Sequence, residues 1–222
     1  MKITNTCRVD LVDAMGDDLR VVNAARVSMA KESVHDWDKP NGLNLPDAKL
    51  LSYLAKNEHW TPFSHVVITL RIVAPIFTAR QWFRSTVGVA RNEVSRRYVD
   101  DAPEYFLPDV IRERPEKSIK QGSGGEHPKS KSIREDMEAL FHYIDRFYRM
   151  MIEDGVAPEQ ARMVLPTSHM TEWYETGSLA YFARVAKLRL DHHAQVEVQD
   201  MMKLVAAAVA PIAPVSWTAL LS

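Results

Sequence analysis

Residues 65–73 carry the clearest two-residue rhythm in the chain, with Val66, Ile68, Leu70 and Ile72 alternating with Val67, Thr69 and Arg71. Alternation among many β-branched side chains predicts a strand with one buried face. Elsewhere the apolar period lengthens. It predicts helices over 17–28, where Leu19, Val22 and Ala25 recur, and over 47–56, where Leu50, Leu51 and Leu54 share a face. Pro40, Asn41, Gly42 and Pro46 mark 39–46 as a loop. Pro75 starts a helix whose spacing of three and four makes Arg80, Gln81 and Arg84 neighbours. Ile133, Met137, Leu140, Phe141, Ile144, Phe147, Tyr148 and Met151 predict a long amphipathic helix ending near Gly155. A short helix from Pro158 carries Arg162, Ser178 caps another reaching about 188, and 194–210 forms the final one. Residues 115–132, rich in Gly, Lys and Ser, read as a mobile loop. This order gives an α+β fold in a single domain over 1–222.

A chain of 222 residues suits one compact core, burying about 70% of its unfolded surface. The 28 basic and 29 acidic residues leave a net charge of −1, which argues against a general nucleic-acid or anionic-membrane surface. The single cysteine, Cys7, excludes an intrachain disulfide and fits a reducing compartment. No apolar run approaches membrane-spanning length, and the N-terminus lacks a basic-then-apolar signal pattern. The expected location is the cytoplasm.

Positive charge is instead concentrated. Residues 80–98, RQWFRSTVGVARNEVSRRY, hold Arg80, Arg84, Arg91, Arg96 and Arg97 without a lysine. Arginine presents a planar fork of donors to phosphate oxygens and a flat cation to a ring. Asn92 and Glu93 add an amide and an acceptor that phosphate alone would not require. Arginine-rich segments often do no more than solvate a face. The mixture here points to a pocket for an anionic, ring-bearing ligand such as a nucleotide.

The order of residues adds to this. NEVSRRY (92–98) resembles the Asn-Glu-x-Ser-x-Arg-Tyr signature of flavin-dependent thymidylate synthases, and RQWFR resembles the approach to it. AARVSM (24–29), HWTPFSH (59–65), ARMVLP (161–166) and LRLDHHAQVEVQ (188–199) are similar to further family blocks in the same order, whereas 101–154 carries little of the resemblance. Two departures stand out. The family's Arg-His-Arg reads Arg84, Ser85, Thr86, with a spacer to Asn92 one residue longer, and its Asn-x-Arg reads Ser178, Leu179, Ala180, leaving Arg184 as a substitute contact.

The resemblance implies an antiparallel sheet flanked by helices and a homotetramer with sites at subunit interfaces. It implies methyl transfer to deoxyuridylate, with FAD as cofactor and NADPH and 5,10-methylenetetrahydrofolate as co-substrates. By matched position, Arg189 would stabilise the activated pyrimidine, its plainer role being an ion pair with Asp191 or Glu197. Gln81, Arg84, Glu93, Ser95, Arg96, Arg97 and Arg162 would bind the nucleotide. Ser28, His59, Thr61, Arg84, Ser85, Thr86, Asn92, Glu93, Ser178, Arg184 and His193 would face the flavin. Cys7 lies away from every motif and reads as a small buried hydrophobe, which agrees with chemistry that needs no thiol. Asp191, His192 and His193 superficially resemble metal ligands, but neighbours on a helix diverge, so no metal is expected. Two alternatives stay open: an enzyme acting on another pyrimidine nucleotide, and a non-catalytic nucleotide-binding module.

Overall fold

A computed structural model describes residues 1–115 and 122–222. In chain order the elements are β1 (Lys2–Thr4), β2 (Arg8–Met15), α1 (Asp18–Arg26), α2 (Leu45–Lys56), β3 (Val67–Pro75), α3 (Ile76–Trp82) and β4 (Val89–Glu93). Then follow β5 (Glu104–Phe106), α4 (Ser130–Glu153), α5 (Pro158–Ala161), β6 (Met170–Ser178), α6 (Leu179–Arg189), α7 (Val196–Val209) and α8 (Pro214–Leu221).

The helix starts follow from their caps. Asp17 accepts from the Arg20 amide at 2.9 Å, Asn44 from the Asp47 amide at 2.9 Å, and Ser178 from the Tyr181 amide at 3.2 Å. Asn44 therefore opens α2 two residues before the predicted start, inside the expected loop. Pro75 caps α3, but this helix ends at Trp82. Arg84 lies beyond it, a correction to the single helical face expected for Arg80, Gln81 and Arg84. A second correction is α8, which follows the helix expected to be last. Part of the expected 115–132 loop, 116–121, lies outside the described residues, and α4 already begins at Ser130.

The main sheet is antiparallel in the order β2-β3-β6-β4, and β1 pairs with β5 in parallel. β3 is central, with Leu70 opposite Glu175 and Ile72 opposite Trp173 on β6. Ile68, Leu70 and Ile72 are fully buried, as their alternation predicts. They pack into one core with Leu51 of α2, Phe182 and Val185 of α6, Met201 and Val205 of α7, and Trp217 of α8. Each such side chain contributes about 1.5–3 kcal/mol through burial. The opposite face carries polar pairs, including Thr69 with Thr176 at 3.0 Å and Arg71 with Glu172 at 2.7 Å. The α8 N-terminus is held by the buried Asp18 carboxylate, which accepts from the Val215 and Ser216 amides at 2.9 and 2.7 Å.

Candidate active site

The end of α6, the start of α7 and α3 enclose a cavity of about 440 Å³ whose lining includes Gln81, Lys187, Arg189, His193 and Gln195. Arg189 occupies the last turn of α6, where a cation complements the helix dipole. One guanidinium nitrogen donates to the Gln81 carbonyl at 2.5 Å, and its buried Nε has no partner among the described residues. Burial pulls its pKa below the ordinary arginine value.

The expected alternative, an ion pair with Asp191 or Glu197, is not formed. Asp191 accepts from the His193 amide and Nδ1 at 2.8 and 2.9 Å, and Glu197 is paired with Arg112. Gln81 donates to Gln195, which donates to Glu197 at 2.8 Å. The segment around Arg189 is thus fixed by its own polar contacts, leaving the arginine's Nε unspent.

Asp191, His192 and His193 lie in a turn rather than on a helix, which corrects the reason given for doubting a metal there. Their potential ligand atoms lie within 4.8 Å of one another, and all three residues are exposed.

A second cavity of about 480 Å³ opens where β4 and β6 run side by side, lined by Arg80, Glu93, Ser95, Arg96, Arg162 and His169 among others. Thr171 donates to Glu93 at 2.6 Å. Arg96 donates to the Asp101 carbonyl at 2.5 Å, and Arg162 makes one 3.3 Å contact with the Glu159 carbonyl. Four of the expected nucleotide ligands, Glu93, Ser95, Arg96 and Arg162, therefore meet within one subunit. Arg97 lies outside this lining, its guanidinium 4.0 Å from Glu159. His169 and Thr171 were missed by the sequence analysis, since no motif includes them. Burial holds the His169 imidazole below its ordinary pKa, and its Nδ1 lies 2.8 Å from the Pro166 carbonyl. It is therefore neutral near pH 7.

The positions expected to face the flavin share no one cavity: His193 lines the first and Glu93 the second. Arg184 donates to the Val87 carbonyl at 2.7 Å and the Ser178 amide to the Gly88 carbonyl at 3.3 Å, so both residues flank the turn after Ser85 and Thr86. Gly88 has φ of +80°, which the turn into β4 requires. The Ser178 hydroxyl is already used as a helix cap. Ser28, His59, Thr61, Arg84 and Asn92 are exposed and line neither cavity. Arg84 has no hydrogen-bond or ion-pair partner among the described residues. Hydroxyls, imidazoles and free guanidinium are donors that suit the diphosphate and ring edge of a flavin dinucleotide.

The chain is an α+β domain with an antiparallel sheet flanked by helices, and arginines line two of its cavities. The family model for "Thymidylate synthase complementing protein" matches residues 10–215. A flavin-dependent thymidylate synthase from Thermosipho melanesiensis is 39% identical over 195 residues, covering 86% of this chain and 80% of that protein. One from Kosmotoga olearia is 36% identical over 227 residues, covering 100% and 93%. Among solved structures, a UMP/dUMP methylase, PolB, from Streptomyces cacaoi bound with 5-Br dUMP aligns at a TM-score of 0.85 and 27% identity, covering 99% of this chain and 96% of that one. The chain belongs to the flavin-dependent thymidylate synthase family.

Proposed function

We propose that the protein makes thymidylate, moving a one-carbon unit from 5,10-methylenetetrahydrofolate to C5 of deoxyuridylate and reducing it to methyl with hydride from FADH2, which NADPH regenerates. The observation carrying this reading is Arg189, a half-buried cation that lines a half-open cavity of mixed polar and apolar character and whose Nε has no partner among the described residues. Such a group stabilises negative charge on a pyrimidine as C5 becomes nucleophilic.

The alternative activation, a thiolate adding at C6, has no support. Burial, reinforced by Asp200 and Glu197, pushes the Cys7 thiol up to about 12, so at neutral pH it is not a nucleophile. When bound, the flavin supplies hydride. Ser28, His59, Thr61, Arg84, Ser85, Thr86, Asn92, Glu93, Ser178, Arg184 and His193 would hold it. Arg162, Arg96 and Ser95 bind the nucleotide phosphate, Glu93 and Gln81 orient the nucleoside, and Arg84 and Arg97 complete the set.

Exposure of Ser28, His59, Thr61 and Arg84, together with exposed Met29, Trp60, Met163 and Tyr174, supports a homotetramer whose sites close between subunits. Among the described residues no helix is long and apolar enough to cross a membrane, and the lone thiol fits the cytoplasm.

Purified protein loaded with FAD and desalted should retain a flavin spectrum that NADPH bleaches. It should then convert deoxyuridylate to thymidylate with methylenetetrahydrofolate. Flavin retention without thymidylate formation would falsify the synthase reading. The likeness to a UMP/dUMP methylase favours a second reading, acceptance of uridylate as well, and parallel assays with both nucleotides separate the two.

A further inference from the structure

Arg91 differs from its neighbours in the arginine segment. Its Nε lies 2.7 Å from the carboxylate of Glu175, which is fully buried. The same carboxylate accepts from the indole nitrogens of Trp82 and Trp173 at 2.9 and 2.8 Å and from the Tyr181 hydroxyl at 2.7 Å. Arg91 also donates to the Ser85 carbonyl at 2.8 Å and to the Tyr181 oxygen at 2.6 Å, and its guanidinium lies 5.0 Å from the Phe83 ring centroid. Gly177 makes room for this arrangement, since a Cβ there would come within 2.6 Å of the Tyr181 ring. Glu175 therefore has its lone pairs filled and reaches no cavity. Arg91 ties this buried carboxylate and the Tyr181 oxygen to one backbone carbonyl of the turn after α3.

That turn carries Arg84, Ser85 and Thr86, where the family triplet is altered and the spacer is one residue longer. We propose that the Arg91–Glu175 pair is a positioning device for this turn, fixing residues 84–86 in their flavin-facing shape before the cofactor arrives. Arg91 and Glu175 touch no ligand in this scheme. A free turn of this length would populate many shapes, and affinity falls by the fraction that is competent. The identity of the ligand rests on the flavin-dependent reading above, but the fixing of the turn does not.

Arg91→Lys keeps a cation beside Glu175 but cannot span to Ser85 and Tyr181 together. Backbone hydrogen exchange in flavin-free protein should quicken by about tenfold at 85–88. FAD affinity should weaken about fivefold to twentyfold, with deoxyuridylate affinity and melting temperature nearly unchanged. Tyr181→Phe, which removes one oxygen from the brace, should give the same pattern at smaller size. Unchanged exchange at 85–88 in Arg91→Lys overturns the proposal. So does loss of both ligand affinities in step with melting temperature, which is the mark of a merely structural ion pair. If the wild-type protein binds no FAD, the functional reading falls, and the exchange measurement still decides the brace.

Discussion

Arg91 and Arg189 both sit at the edge of the α6 region, and they teach opposite lessons about the same side chain. Arg91 is 13% exposed in its side chain and meets a buried carboxylate, a hydroxyl and a carbonyl, so its charge is spent inside the protein. Among the described residues Arg189 has a single carbonyl contact and a buried nitrogen left over, so its charge remains available to a ligand. Residue type does not separate structure from chemistry here. The count of satisfied donors does.

The sharpest way to test that contrast is to remove the partner on the structural side. Glu175→Ala leaves Arg91 uncompensated and strips three further buried donors of their acceptor, so a loss of about 3–5 kcal/mol is expected, read as a falling denaturant midpoint. Arg189→Ala should do the reverse. The fold and flavin retention should survive while thymidylate formation drops by about 100-fold to 1,000-fold, measured by turnover alongside circular dichroism. Near-normal turnover in that variant would erase the distinction between the two arginines.

Arg162→Ala probes the second cavity, where the guanidinium makes only one weak carbonyl contact among the described residues. Loss of a charge-assisted phosphate contact should raise KM for deoxyuridylate by roughly 10-fold to 100-fold, with kcat changing less. An equal fall in kcat would move Arg162 from binding to the chemical step.

A smaller effect concerns pH. The folded-state pKa of His169 is depressed by burial from an ordinary value of 6.5. Such a group contributes stability above the unfolded pKa and loses it as pH falls through the folded one. The melting temperature of His169→Gln should therefore decline less than that of wild type as pH drops below 6.5, and parallel curves would refute the depressed pKa. Smallest of all, Cys7→Ala should leave turnover within about twofold, since the partly buried thiol stays protonated at neutral pH.

The sequence made some of this legible and hid the rest for definite reasons. β3 was visible because every second residue is apolar and its other face is polar. β6 was not, because its buried face includes Glu175, a charge whose four donors arrive from Trp82, Arg91, Trp173 and Tyr181, which no periodicity reveals. β4 was overlooked because the arginines and Asn-Glu pair of that stretch drew a reading as chemistry rather than as strand. α8 escaped because PVSWTALL has no polar face to set a rhythm. For the candidate site, matched blocks pointed to Glu93, Ser95, Arg96 and Arg162, and these do converge on one cavity. Only three-dimensional placement could add His169, or separate Arg91, whose burial depends on residues 84 and 90 positions away.

The buried Asp18 has a temporal side. Its hydrogen-bond partners, the amides of Val215 and Ser216, lie 197 and 198 positions further along the chain. A ribosome therefore makes this carboxyl long before it makes the helix end that satisfies it. Throughout that interval the surfaces of α1, α2 and α6 that α8 covers stay open to water or to a chaperone. Completion of the core is in this sense a late event in synthesis, and an early stop just short of α8 should yield a chain that is nearly full length yet unable to close.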